Sequence, residues 1–327
     1  MTDFVSLLKS TAAYGVFSGE KKQGRIAHAY LIIHPDGENL SEYLKIFAKT
    51  VVSETEDASD EKRSSMLIEK GIHPDVKTYP RGKDVVLTED VNDLINESFI
   101  KPIESDRKIF LVNRAETMPP AAQNKLLKTL EEPPKNTVII LGATSEYPLL
   151  ATVKSRVRKL IIPEFSDDAL FNALKNDCPD KEKLKTAIAC GNGTVGKATA
   201  NYADEKLPLI LNAVCETITD MKSSKDVLFY SRKIAALKAE LADVLSVMKA
   251  VLRDMLAAAE GRSDLALNAA ALEKTKGAEG YTTGAIVFAL DKIGDAEKRL
   301  KFNASEEIIL ERVLFQILEG KYKWRKL

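Results

Sequence analysis

The first half of the chain alternates short apolar runs with segments of helical periodicity, and this alternation limits the folds that it can adopt. Parallel strands need long crossovers, so strands separated by helices favour a parallel sheet with helices on both faces. We therefore predict an α/β domain over residues 1–165. Its strands are predicted at residues 29–33, 76–79, 108–112, 137–141 and 157–162.

Capping residues and prolines mark the helices of this half. Apolar residues at helical spacing predict a helix over residues 40–52. Thr88, which two acidic residues follow, is predicted to be the N-cap of a helix that runs to about Ile100. Pro119–Pro120 is predicted to open a further helix that ends near Leu130.

The strand signal disappears after Pro163, and the rest of the chain has helical periodicity. Three short helical patterns predict a small helical domain over residues 166–205, in which Ser166 and the acids after it cap the first helix. A second helical domain is predicted over residues 206–327. One apolar stripe at steps of three and four residues predicts its core: Ile234, Leu237, Leu241, Leu245, Met248, Leu252 and Leu256.

Composition narrows the class of protein. The chain has 327 residues, 45% of them hydrophobic, which is enough for the cores of two or three domains. Its 48 basic and 48 acidic residues balance, whereas a protein that coats nucleic acid alone is usually strongly basic. Any contact with DNA is therefore expected to be local or shared with partner subunits. The sequence shows no apolar run of membrane-spanning length, no signal-peptide pattern and no disulfide framework, so we expect a cytoplasmic protein.

Two stretches of sequence match the pattern of a known family. His73-Pro74-Asp75 precedes the second predicted strand, and Asn124–Pro134 reads Asn-Lys-Leu-Leu-Lys-Thr-Leu-Glu-Glu-Pro-Pro. A Lys-Ser-Arg triplet ending at Arg156 follows. This order resembles the AAA+ clamp-loader subunits of bacterial replication, and among them the delta-prime type of DNA polymerase III subunit. The resemblance is strong over residues 25–162 and weaker beyond them.

The resemblance implies an AAA+ domain followed by a helical lid domain, residues 166–205, and a helical collar domain, residues 206–327. Thr144 and Lys197 resemble the family's sensor residues. Phe302–Ala304 and Leu310–Arg312 resemble the last collar helices.

The resemblance also implies a function and a set of partners. The chain is expected to be a rigid, non-ATPase stator subunit of a clamp loader. Its expected partners are ATPase subunits of the gamma or tau type and a delta subunit. The assembled complex would open the sliding clamp and place it on primer-template DNA, so contact with clamp and DNA would run through that complex.

The segment after the first strand, His34–Ser41, stands where the family places its phosphate-binding loop. Such a loop needs glycine backbone N–H groups around the phosphates, followed by Lys and Ser or Thr. Gly37 and Ser41 remain, but Asn39 and Leu40 replace the glycine-lysine pair, and two acids in the loop add repulsion. We predict that this loop does not bind ATP, so no cofactor is expected.

The segment after the third strand has changed as well. An active ATPase has two acids here, one for the magnesium shell and one for the attacking water. This chain has Asn113 and Arg114, and arginine cannot act as a general base because its pKa stays above about 12. Glu116 follows, where the chain is expected to turn away. We predict no intrinsic ATPase activity, while weak affinity for ADP stays open.

Ser155 and Arg156 have an implied role in a neighbouring subunit. In the family a Ser-Arg-Cys motif carries an arginine finger that reaches the ATP site of the adjacent subunit. A guanidinium suits that task because it is permanently charged and its fork matches phosphate oxygens. Val157 replaces the cysteine, which is not the catalytic group. The alternative for Arg156 is a solvated surface charge.

A zinc site found in many family members is missing. They carry four cysteines between the first long helix and His73, spaced for tetrahedral zinc, but residues 50–72 here contain none. This region includes a stretch rich in charged residues and serine, Ser53–Ser65, which is predicted to be a disordered loop. We predict no bound metal. The three cysteines of the chain are predicted to be buried structural thiols: Cys178, Cys190 and Cys215.

Two other functions stay open at this point. One is an ATP-hydrolysing motor subunit of the same family, against which the changes at Asn39, Leu40, Asn113 and Arg114 argue. The other is a diverged AAA+ interaction protein that acts outside the clamp loader. Assembly with an ATPase subunit of the same organism would separate the second from the stator.

Overall fold

The structure is a computed structural model that describes residues 3–52, 58–300 and 305–323. The chain divides into two compact units, Met1–Ala169 and Leu170–Leu327. The second unit contains nearly all of both regions that were predicted to be helical domains, and their separation into lid and collar stays a prediction. Phe302–Ala304, which resembled a collar segment, lies outside the described residues.

The first unit is built around a parallel sheet. Five strands form it: β1 (Ala29–Ile33), β2 (Val76–Tyr79), β3 (Lys108–Val112), β4 (Thr137–Ala143) and β5 (Arg158–Ile161). The strand order is β2-β3-β4-β1-β5, and each neighbouring pair is parallel. The predicted strands and the predicted α/β fold class are therefore confirmed.

Helices cover both faces of this sheet, as predicted. The helices of the unit are α1 (Phe4–Lys9), α2 (Ala12–Lys22), α3 (Leu40–Val52), α4 (Ala58–Glu69), α5 (Thr88–Ser98), α6 (Pro120–Glu131) and α7 (Ala151–Lys154), with α8 (Asp167–Leu174) at its boundary. Adjacent residues of a strand point to opposite faces. Tyr30 meets Phe17 of α2 at 4.9 Å between ring centroids, and Leu31 belongs to the core that α5 and α6 cover.

The charged segment predicted to be a disordered loop, residues 53–65, is helical where the structure describes it. Helix α4 begins at Ala58, and residues 53–57 lie outside the described residues. The helix is held by its far end, where Ile68 is buried and Glu69 accepts a hydrogen bond from Lys49 of α3 at 2.5 Å. The charged composition predicted a loop because the apolar contacts of this helix lie in its last turns, outside the charged stretch. Helices α1 and α2 were not predicted either.

Thr88 is the first residue of α5, so the prediction that it is the N-cap is wrong by one residue. Leu87 has extended backbone angles and occupies the cap position. Its N–H donates to the Oδ2 atom of Asp90 at 2.9 Å. An acid in the third helical position therefore satisfies the N–H of the cap residue, while the leucine side chain offers no acceptor to the first turn of the helix.

Asp75 anchors the loop that leads from α5 to β3. Its fully buried carboxylate accepts backbone N–H bonds from Ile103 (2.7 Å), Glu104 (2.7 Å) and Ser105 (2.8 Å), and the Ser105 hydroxyl donates at 3.1 Å. Desolvation by itself raises the pKa of Asp75, but these hydrogen bonds outweigh it and hold the pKa below its ordinary value. The aspartate of the His-Pro-Asp stretch is therefore a structural acceptor for a loop.

The second unit is helical throughout the residues described. Its helices after α8 are α9 (Lys181–Ala189), α10 (Val195–Ala203), α11 (Leu207–Asp220), α12 (Ser224–Ala235), α13 (Leu241–Ala259), α14 (Ala269–Thr275), α15 (Thr283–Leu300) and α16 (Glu306–Lys323). No helix among the described residues combines the length and the hydropathy that a membrane span requires. Ser166 caps α8 as predicted, since its Oγ atom accepts the N–H of Ala169 at 3.3 Å.

The apolar stripe from Ile234 to Leu256 belongs to two helices. Helix α12 ends at Ala235, and Lys238 adopts a left-handed backbone (φ 50°) before α13 starts. The stripe residues nevertheless lie in one core, or pack against it, so the bundle-core interpretation is confirmed.

The three cysteines are buried free thiols, as predicted. Burial raises the pKa of Cys190 to about 12 and that of Cys215 to about 11, which keeps both thiols protonated at neutral pH.

Asp75→Asn is expected to lower the free energy of unfolding by about 2–4 kcal/mol, because the amide nitrogen cannot accept the bonds that the carboxylate oxygen accepts. The matched control is Asp106→Asn, an exposed acid in the same loop, which we expect to be nearly neutral. Urea unfolding at pH 7 measures both. Equal urea midpoints for the two variants would contradict the conclusion that Asp75 anchors this loop.

The effect of Asp75→Asn on the free energy of unfolding should depend on pH. The pKa of Asp75 is lower in the folded chain than the ordinary value of about 3.9 that an unfolded chain has. Its contribution to stability is therefore complete well above pH 4 and is lost as pH falls towards the folded pKa. The difference in unfolding free energy between native protein and Asp75→Asn should shrink between pH 7 and about pH 3.5. A constant difference would show that the carboxylate charge is not the source.

Candidate functional site

The loop that was predicted to be a degenerate phosphate loop starts from a packed histidine. His34 is fully buried, and its ring lies 4.8 Å from the Tyr43 ring and 5.2 Å from the Phe165 ring, between centroids. Its Nδ1–H donates to the carbonyl of Ile162 at 3.1 Å. Desolvation lowers the pKa of His34, so the ring is neutral at pH 7. The start of the loop is therefore fixed as part of the core.

Asp36 takes up donors at the point where α3 begins. Its carboxylate, which is buried, accepts the backbone N–H of Asn39 at 3.2 Å and the Asn39 side-chain amide at 3.1 and 3.2 Å. The first N–H groups of a helix are the donors that normally surround a phosphate. In this chain the N–H of Asn39, beside the start of the helix, already donates to the carboxylate of Asp36, and the charge of that carboxylate repels a phosphate.

Leu40 stands where the family's lysine would be, and it points into the core. The side chain is fully buried. It packs close to Gly142 of β4, where an added Cβ atom would lie 3.2 Å from Leu40 Cγ and 2.7 Å from Leu44 Cδ1. The glycine thus lets α3 approach the sheet, and the first turn of α3 is held by apolar packing.

The segment after β3 turns back towards the sheet. Arg114 has a left-handed backbone (φ 56°), and a 3-10 turn over Ala115–Thr117 follows. The Glu116 side chain is 10% exposed, and its Oε1 atom accepts the hydroxyl of Thr144 at 2.8 Å. The expectation that the chain turns away at Glu116 is therefore wrong. A left-handed arginine was not readable from the sequence, so the position of Glu116 was missed.

The loop that contains Gly37 and the segments that follow β3 and β4 lie together at the carboxyl end of the sheet. Gly37 lies against Thr144, since a Cβ atom at Gly37 would be 3.0 Å from Thr144 Cγ2. Thr144 in turn binds Glu116. Asn113 follows β3 directly, with its N–H donating to the carbonyl of Tyr79 at 2.8 Å. The parallel sheet places these strand ends side by side.

Arg156 follows α7 on the surface of the first unit. Its Nε–H donates to the Oε1 atom of Glu131 at 2.7 Å, and its Nη2 group contacts the same oxygen. Its Nη1 group donates to the carbonyl of Thr152 at 2.9 Å and to the hydroxyl of Ser155 at 3.3 Å. The guanidinium is therefore held within its own unit, and the part that Glu131 plays was not predicted.

Two other predicted site residues, Lys197 and Ser41, lie in helices. Lys197 lies on α10 in the second unit, where it forms an ion pair with Asp243 of α13. Ser41, in the first turn of α3, is half-buried. In the parts of the chain that the structure describes, no group of three or more His, Cys, Asp or Glu side chains could hold a metal ion.

Leu40→Lys, which restores the family's residue type, is expected to destabilise the first unit by about 3–5 kcal/mol, because it buries a charge without a partner. Glu38→Lys is the matched control, since Glu38 is exposed in the same loop and can carry the same new charge in water. Chemical unfolding compares the two variants. A Leu40→Lys protein as stable as the control would show that position 40 can open to solvent.

Comparison with known proteins places the first unit. Residues 9–166 match the family model described as DNA polymerase III, delta subunit. The delta' subunit of DNA polymerase III from Yersinia pestis is 32% identical over 150 residues, 44% of this chain and 44% of that protein. The delta' subunit from Bacillus subtilis is 23% identical over 310 residues, 91% of this chain and 93% of that protein.

A gamma subunit is also among the relatives. The DNA polymerase III subunit gamma of Buchnera aphidicola is 26% identical over 255 residues, 69% of this chain and 70% of that protein. Among solved structures, a gamma subunit-related protein from Thermotoga maritima is similar with a TM-score of 0.40 and 17% identity, over 95% of this chain and 100% of that one.

Proposed function

We propose that this chain is a delta-prime-type stator subunit without ATPase activity of its own. The premise is that residues 9–166 belong to the clamp-loader subunit family of DNA polymerase III. Family membership alone does not choose between the delta-prime type and the gamma or tau type, since relatives of both types match. The choice therefore rests on the residues of the site.

The loop at the start of α3 is the observation that carries the proposal. A nucleotide needs free N–H donors and a lysine in this turn. Asp36 binds the N–H of Asn39, and Leu40 is buried beside Gly142. A bound triphosphate would have to displace the carboxylate of Asp36 and would find no cation at position 40.

The second half of the proposal concerns Arg156. We assign it to the ATP site of a neighbouring subunit, as an arginine finger supplied in trans, with Ser155 beside it. The position supports this because Arg156 is 33% exposed on the surface and follows a short helix that fixes its backbone. A permanently charged, forked donor fits the oxygens of a transferring phosphoryl group.

The partners follow from the same assignment. ATPase subunits of the gamma or tau type and a delta subunit would complete the loader. This chain would contact the sliding clamp and primer-template DNA as part of the assembled complex. Contacts with DNA phosphates would depend on salt and not on sequence. The balanced charge of 48 basic and 48 acidic residues agrees with a DNA contact shared among subunits.

An ATP-hydrolysing motor subunit is the second candidate, and one observation favours it. Glu116 turns back to Thr144, and its Oε2 atom is buried without a hydrogen-bond partner among the described residues. A carboxylate oxygen of this kind is what the positioning of an attacking water requires. Nucleotide binding distinguishes the two candidates.

Titration of the purified chain with magnesium-ATP, followed by calorimetry, is expected to show no binding at micromolar concentrations. The positive control is the gamma-type ATPase subunit of the same organism, measured under the same conditions. Stoichiometric binding of ATP by this chain, followed by hydrolysis, would replace the stator with the motor subunit.

Arg156→Ala is expected to slow ATP hydrolysis by the assembled loader, by about tenfold or more at the site that receives the finger. Folding and assembly should be unchanged, because the side chain is partly exposed. Arg158→Ala is the matched control, since Arg158 lies two residues away, is also exposed and pairs with Glu20. DNA- and clamp-stimulated turnover measures both. Equal turnover in the two mutant complexes would refute the finger.

Membership of the complex is tested by mixing the chain with gamma-type and delta subunits and separating the products by size. A complex that contains all three supports the stator. If the chain assembles with neither subunit, it is a diverged AAA+ protein that acts outside the clamp loader.

A further inference from the structure

The side chain of Arg156 uses most of its hydrogen-bonding capacity inside its own unit. A guanidinium has five N–H donors. One on Nε and one on Nη2 contact Glu131, and two on Nη1 contact Thr152 and Ser155. Among the described residues, one N–H is left without a partner. A bidentate grip on a phosphate needs two parallel N–H groups, so Arg156 cannot form it in this arrangement.

Glu131 covers the edge of the guanidinium that a phosphate would use. The Nε and Nη2 groups form one of the edges that can donate two parallel bonds, and both contact the Oε1 atom of Glu131. Releasing Glu131 alone frees this edge, while the bonds of Nη1 to Thr152 and Ser155 can stay. The guanidinium would then keep its position and gain a phosphate-binding fork.

Glu131 stands at an unfavourable position in its own helix. It is the last residue of α6, and an acid at the C-terminal end of a helix is unfavourable because the helix dipole is negative there. Its side chain is 49% exposed, and its carboxylate binds the guanidinium of Arg156. The ion pair offsets that dipole cost, so the glutamate serves the arginine and not the helix.

We propose that Glu131 is a latch that restrains Arg156 until a neighbouring subunit presents its nucleotide phosphate. This rests on the finger role proposed above for Arg156. Glu131 is a positioning residue, since it acts on phosphate only through the arginine. The latch is weak, because an ion pair that is partly exposed contributes a factor of no more than about five to an equilibrium. A weak latch suits a side chain that must be released at each cycle.

The first test uses the isolated full-length chain and does not depend on catalysis. An arginine-specific dicarbonyl reagent modifies Arg156, and mass spectrometry of peptides gives its rate. Glu131→Ala should raise that rate about two- to fivefold, with Glu131→Gln between it and the native chain. Glu132→Ala is the matched control, because Glu132 is an exposed glutamate next to the same helix end. Equal rates in Glu131→Ala and Glu132→Ala would refute the latch.

The second test uses the assembled loader. Single-turnover hydrolysis should be up to about five times faster with Glu131→Ala than with Glu132→Ala. In the Arg156→Ala background, Glu131→Ala should have no effect, because the restrained group is gone. Slower hydrolysis with Glu131→Ala, approaching the rate of Arg156→Ala, would overturn the latch and make Glu131 a residue that orients the finger.

The two proposals fail in different ways. If Arg156→Ala leaves hydrolysis unchanged, the finger role falls, whatever Glu131 does. If Arg156→Ala slows hydrolysis while Glu131→Ala matches Glu132→Ala in both tests, the finger stands and the latch falls.

Discussion

The close packing of α3 on the parallel sheet is the constraint on which the site depends. Gly142 has no side chain, so Leu40 and Leu44 can approach β4. This contact fixes the first turn of α3, and the loop before it has to close on its own polar groups. Asp36 does so by accepting the N–H of Asn39. Asp36 and Leu40, on which the proposed loss of nucleotide binding rests, are thus the residues that stabilise the turn.

Two acidic side chains of the first unit bind donors within that unit. Asp75 holds a loop through backbone N–H groups, and Glu131 holds Arg156 through its guanidinium. The difference between them is exposure. Asp75 is fully buried and its contacts are structural, whereas the pair of Glu131 and Arg156 is partly exposed and can exchange partners at low cost.

The five strands and the parallel sheet could be predicted because buried strands are short apolar runs, and helical patterns separate them. The cap of α5 was misplaced by one residue because Leu87, which has no side-chain acceptor, occupies the cap position, and the carboxylate of Asp90 accepts its N–H. Helix α4 was missed because its buried residue, Ile68, lies at its far end. The break between α12 and α13 was missed because Lys238 is left-handed without being glycine, and spacing alone does not reveal that.

The sequence by itself determined the fold class, the resemblance to clamp-loader subunits and the presence of Asn39 and Leu40 where that resemblance implies glycine and lysine, because these depend on which side chains are present and in what order. Tertiary structure decided where those side chains lie. Glu116 returns to Thr144 because the backbone of Arg114 before it is left-handed, and Glu131 meets Arg156 across two helix ends. Contacts between residues distant in sequence depend on packing geometry, which neither periodicity nor composition encodes.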